Sequence, residues 1–126
     1  MDDVYDLYQR GMALLEDGHF HQATIPLAKA RDLEPDKTSI REALGRAYFR
    51  SGGFEEARAE FEAARVEFAA VVDLAPTNDY ALFCLGRSLM QLGRTAEARK
   101  PLTLAANMNP KRRDYRIYRD RARKAA

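Results

Sequence analysis

Two histidines, His19 and His21, flank Phe20, with Glu16 and Asp17 just before them. Imidazole and carboxylate are usual metal ligands, so a metal site is conceivable. The i, i+2 spacing suits it poorly and no third cluster of ligand residues is present, so exposed turn histidines, with no metal and no cofactor, are the expectation. The single cysteine, Cys84, has no evident histidine partner that would make it a nucleophile. It reads as a small buried or half-buried hydrophobe. GGF at Gly52–Phe54 is a turn between helices and not a phosphate-cradling loop. No paired carboxylates or triad stand out, so no reaction is implied. The C-terminal stretch KRRDYRIYRDRARK interleaves arginine with tyrosine, which could hold nucleic acid through phosphates and stacking. A solvated capping helix, whose bases also suit its C-terminal end, is the preferred reading.

The elements that must carry these residues are set by composition and period. The 126 residues are 46% apolar and 32% charged, enough for a core and too polar for a membrane protein. No apolar run approaches the roughly 20 residues of a spanning helix. The start, MDDVYDLYQR, lacks the basic-then-apolar order of a secretory signal. One cysteine allows no internal disulfide, and a reducing, cytoplasmic location is expected. The net charge of +2 hides a gradient. Residues 1–37 carry four more acids than bases, and residues 113–126 four more bases than acids.

Proline closes three similar segments, DLEPDK, DLAPTN and NMNPKR. Aligning on them and on the glycines gives one unit at 4–37, a second at 38–78 and a third at 79–112. The outer two are 34 residues long and the middle one seven longer. Glycine stands at position eight (Gly11, Gly45, Gly86) and at position fifteen (Gly18, Gly52, Gly93). Alanine holds position twenty (Ala23, Ala57, Ala98) and position twenty-seven (Ala30, Ala64, Ala105). Position twenty-four is large and apolar (Leu27, Phe61, Leu102). This pattern resembles the tetratricopeptide repeat, a helix–turn–helix unit of 34 residues. The resemblance covers residues 4–112 and implies an all-α, short right-handed solenoid of about seven helices. Aromatic positions depart from the family pattern at Leu7, Arg41 and Leu82, and at Thr95, which softens individual contacts. The residues explain themselves as well. Small side chains at positions eight, twenty and twenty-seven let paired helices approach, glycine at fifteen permits a left-handed turn, and proline stops the second helix. Residues 113–126 form a further helix, with Tyr115, Tyr118 and Ala122 at helical spacing to cover the last unit. Solenoids need such a polar end cap.

In this family the first helix of each unit lines a concave groove, and positions two, five, nine, twelve and thirteen face it. The resemblance therefore implies a groove of Tyr5, Tyr8, Met12, Leu15 and Glu16 from the first unit. The second adds Ser39, Glu42, Arg46, Phe49 and Arg50, and the third adds Tyr80, Phe83, Arg87, Met90 and Gln91. Ile117 and Arg121 extend it on the last helix. Aromatics and arginine dominate protein interfaces, so a protein or peptide partner is expected, with the arginines pairing acidic groups. The alternative is that these aromatics pack against neighbouring helices. Some relatives grip chaperone C-termini with a lysine and asparagine clamp. At its positions this chain has Tyr8, Met12, Ala43, Tyr80 and Cys84, so no such clamp is expected.

The seven extra residues fall in FEEARAEFEAARVEFAAVVDL, where AEFEAAR is nearly echoed by VEFAAVV. Seven residues add two turns, about 10 Å, and rotate the remainder of the helix by only about 20°. A continuous helix over 54–74 is expected, carrying Phe61, Ala64, Phe68, Val71 and Val72 on one face. If the extension outruns its neighbours, Phe68, Val71 or Val72 would be partly exposed and, with Phe61, would offer a self-association surface. The acidic first unit and basic end offer a second, head-to-tail route to a homo-oligomer.

Overall fold

In a computed structural model the chain is a run of seven helices. The structure describes residues 3–52 and 54–125, the side chains of 54–57 excepted. The helices are α1 (Val4–Glu16), α2 (Phe20–Leu33), α3 (Thr38–Arg50), α4 (Phe54–Leu74), α5 (Asp79–Gln91), α6 (Thr95–Met108) and α7 (Arg113–Lys124). Their ends obey local chemistry. The Asp3 carboxylate accepts from the Asp6 N–H at 2.8 Å, and the Asn78 side chain from the Ala81 N–H at 3.0 Å. Gly18 and Gly93 sit at φ of +81° and +76°, after α1 and α5. There the His19 and Arg94 N–H groups reach back to the Leu14 and Leu89 carbonyls, the paired bonding of a glycine-terminated helix. Each of α2, α4 and α6 stops two residues before Pro35, Pro76 and Pro110.

Consecutive helices pack antiparallel, and α1 also touches α3, α3 touches α5, and α5 touches α7. No Cα of α2 lies within 8 Å of α4, nor any of α4 within 8 Å of α6, among the described residues. The first helices of the units are thus crowded together on the inner side while the second helices fan apart outside. That difference in spacing is what curves a solenoid. A β-carbon at Gly11 would lie 2.4 Å from Leu27, and one at Gly86 2.4 Å from Leu102, so the glycines set how closely each pair packs.

The middle pair uses the same lock with a different key. The β-carbon of a residue at position 45 would meet Phe68, 2.8 Å away, and not Phe61. Measured from Pro76, Phe68 stands where Leu27 and Leu102 stand, Val71 where Ala30 and Ala105 stand, and Ala64 where Ala23 and Ala98 stand. All three are fully buried. The 21 residues of α4 therefore divide into Phe61–Leu74, equivalent to the 14 residues of α2 and of α6, and a two-turn extension at the N-terminal end. The long helix is continuous, as expected, but the unit alignment and the exposure are corrected. Phe61 and Ala64 sit one heptad earlier in the packing than the glycine-based alignment implies. Phe68 and Val71 are core with 0% exposure, and Val72 is half-buried against that core, so they cannot form an exposed patch. Phe54 and Ala57, assigned to positions seventeen and twenty, have side chains outside the described set.

An ion network ties the first two units together. Glu67 of α4, 4% exposed, accepts from Arg31 of α2 at 2.5 Å and from Arg41 of α3 at 3.1 Å. Burial works against the Arg31 charge, but the hydrogen bonds to Glu67 and Asp32 outweigh it and raise its pKa. The corresponding cleft between α4 and α6 has Val72, Leu82 and Pro101 at those three places, and it remains an apolar hollow of about 340 Å³. At the far end, Tyr115 and Ala122 of α7 are fully buried on the last pair. The Tyr115 hydroxyl donates to Asp79 at 3.0 Å, and Arg99 of α6 donates to the Ala122 carbonyl at 3.0 Å. Counted as a first helix, α7 carries Asp120 at position eight, where α1, α3 and α5 carry glycine.

Candidate functional site

The inner helices α1, α3 and α5 bring seven of the expected groove residues to one hollow of about 220 Å³. Met12, Leu15 and Glu16 come from α1, Arg46 and Arg50 from α3, and Tyr80 and Arg87 from α5. Phe20, at the start of α2, closes one side. The groove positions recur one unit apart on helices that touch, so side chains far apart in sequence converge without any loop.

Three guanidinium groups dominate the hollow. Arg50 lies over the Phe20 ring at 4.6 Å, and Arg87 lies over Phe49 at 4.2 Å and Phe83 at 5.0 Å. Arg46 donates to the Met12 sulfur at 3.7 Å. Among the described residues none of the three is in an ion pair. The Nε atoms of Arg46 and Arg87 are buried and meet no protein acceptor. Six arginines elsewhere are held differently. Arg31, Arg41, Arg65, Arg94, Arg112 and Arg119 all pair with carboxylates. A stacked guanidinium spends its face on the ring and keeps its edge N–H donors for another group. Burial, with the Cys84 neighbour, raises the Tyr80 pKa, so its hydroxyl stays neutral.

The other expected groove residues divide among different surroundings. Tyr5, 68% exposed, and Tyr8 line a separate hollow with Ser39 at the α1 edge. Glu42 is engaged, accepting from the Asn78 amide at 2.9 Å. Phe49 packs on Phe61, ring centres 5.4 Å apart, beneath Arg87. Met90 is half-buried against the core, and Gln91 is exposed. Phe83 is corrected from groove anchor to core. It is 1% exposed because α7 covers it, with Tyr115 stacked at 4.7 Å and Tyr118 edge-on at 5.4 Å. Ile117 is exposed on α7, and Arg121 lies over Tyr118 at 4.9 Å; neither reaches the hollow.

That same packing bears on the arginine–tyrosine tail. Tyr115 is buried, Tyr118 is half-buried, Arg112 and Arg119 are paired to Asp114 and Asp120, and Arg116 donates to the Pro110 carbonyl. Of the two tyrosine rings only Tyr118 keeps some exposure, and Arg121 lies over it. Cys84 is fully buried, and burial pushes its thiol pKa up to about 11, which favours the protonated form at neutral pH. Among the described residues no group of three His, Cys, Asp or Glu could hold a metal ion, and no helix is long and apolar enough to cross a membrane. Sequence reasoning missed Phe20 as a wall of the hollow and Glu67 as a buried network centre. Phe20 carried a signal, since an aromatic at the start of the second helix adjoins the end of the first. Glu67 carried none, because Glu60 occupies the same place in the echoed heptad.

The sequence matches the tetratricopeptide repeat family over residues 8–70 and 43–113. The chain belongs to that family, and its fold is that of a protein-interaction scaffold. No curated protein matches it. Solved structures share the fold. The first TPR of Spaghetti (RPAP3), bound to the HSP90 peptide SRMEEVD, superposes with a TM-score of 0.85 at 19% identity, covering 98% of this chain and 92% of that one. The Arabidopsis OM64 TPR domain gives 0.84 at 17% identity, covering 98% and 96%. YrrB, described as a TPR protein with an unusual peptide-binding site, gives 0.83 at 20% identity, covering 95% and 58%. At these identities the likeness is one of fold.

Proposed function

We propose that the concave wall of this chain binds a segment of a protein partner, extended or helical, through the hollow between α1, α3 and α5. Met12, Leu15 and Phe20 supply the apolar contact, while Arg46, Arg50 and Arg87 orient acidic groups of the segment. The observation that carries this reading is the set of three guanidinium groups held against rings and sulfur in one concavity, none of them in an ion pair among the described residues although Glu16 shares the hollow. A peptide-bound structure of the same fold, and a second described as having a peptide-binding site, support the reading in kind. They do not carry over in detail. Of the five positions at which a chaperone-tail clamp would stand, Ala43 and Cys84 are buried here, and the others are Tyr8, Met12 and Tyr80. No reaction is assigned to the site.

The test is binding of fluorescent peptides, one acidic and one of the same length with amides replacing the carboxylates. The acidic peptide should bind more tightly, weaken with added salt, and lose about tenfold or more in affinity when Arg46 and Arg87 are both replaced by glutamine. Equal binding of the two peptides, insensitive to those substitutions, would contradict it.

A further inference from the structure

The charges in the hollow specify more than acidity. Three guanidinium groups face one carboxylate, Glu16, leaving a surplus of two positive charges. A single carboxylate on a partner would neutralise half of it, whereas a phosphomonoester at neutral pH carries close to two negative charges and three acceptor oxygens. The donors suit that geometry. Arg87 is fixed on two rings and Arg50 on one, so both present edges at little further entropic cost. The buried Nε atoms of Arg46 and Arg87 are donors directed at no protein group. Those two atoms are closed off from the hollow, so the terminal N–H groups of the three arginines are the donors that a multi-oxygen anion would meet there. Beside them Met12, Leu15 and Phe20 form an apolar shelf for the residue next to the anion.

We propose that this hollow is a phosphoryl-recognition site, taking a phosphorylated side chain of the bound segment in the fork of Arg46, Arg50 and Arg87. The proposal rests on the groove reading above and narrows its ligand.

The test uses the full chain immobilised and four degenerate peptide pools, alike except for a central phosphoserine, phosphotyrosine, glutamate or serine. At least one phosphorylated pool should be retained about tenfold or more over both the glutamate and the serine pools. Inorganic phosphate should compete it away. Arg46→Gln and Arg87→Gln should each abolish that preference. Arg46→Lys, which keeps the charge and loses the fork, should retain only part of it. Arg50→Gln, at an exposed position, checks the same loss in a chain whose helicity is unchanged by circular dichroism. Retention of the glutamate pool as strong as that of the phosphorylated pools would overturn the phosphoryl assignment and leave the groove standing. Retention of no pool would overturn both.

Discussion

Gly45 and Phe68 hold the middle of the stack together, and Glu67 beside them does a second job. Its carboxylate is nearly buried and joins arginines from two different helices. Removing one partner of such a network leaves charge without its counterpart, which costs more than the network contributes as a whole. Both arginines keep some solvent contact, 28% and 18%, and that moderates the effect. Glu67→Gln should therefore lower stability by about 1–3 kcal/mol. Urea denaturation followed by circular dichroism should show the midpoint fall with the slope unchanged. Glu60→Gln, the same residue one heptad earlier, should cost less, because Glu60 makes no ion pair among the described residues. At this scale the sequence was partly legible. Arg46, Arg50 and Arg87 are where the repeat positions put them, since a helical position fixes direction. Phe83 was not legible, since whether a groove position stays open depends on α7, a helix whose docking angle no spacing rule specifies.

The element that decides the architecture is α4. Its two similar heptads each offer a phenylalanine followed three residues later by a small or branched apolar residue, so either could seat against Gly45. The sequence states both registers equally well, and an alignment anchored on glycines selects Phe61. The structure selects Phe68, because this places Val71 and Ala64 in the same seam and Glu67 between two arginines. A coupled-mutant experiment separates the registers. Gly45→Ala should destabilise by about 1–3 kcal/mol through overpacking, less up to about 1 kcal/mol regained from helix propensity. Phe68→Leu combined with it should relieve part of that cost, a favourable coupling of about 1 kcal/mol, whereas Phe61→Leu should simply add. Coupling to Phe61 in place of Phe68 would mean that α4 packs one heptad further along. Helix existence and length were readable from period, glycine and proline; the packing register was not, because seven extra residues leave the periodic signal unchanged.

At the scale of the whole molecule, the described chain is a short array of paired helices with α7 packed on the third pair. α7 buries Tyr115 and Ala122 on the third unit and shows charge outward, with Asp120 in the place where a following helix would require glycine. At this end Arg112 and Arg119 pair with Asp114 and Asp120, whereas the arginines of the hollow are in no ion pair among the described residues. The curvature that brings α1, α3 and α5 together is what gathers positive charge from two units against an apolar wall from a third. The most direct test of this account is backbone amide chemical-shift mapping of the full chain on addition of a binding acidic or phosphorylated peptide. The perturbations should cluster on α1, α3 and α5 around Met12, Arg46 and Arg87. Perturbations confined to the outer cleft between α4 and α6, or to α7, would contradict it.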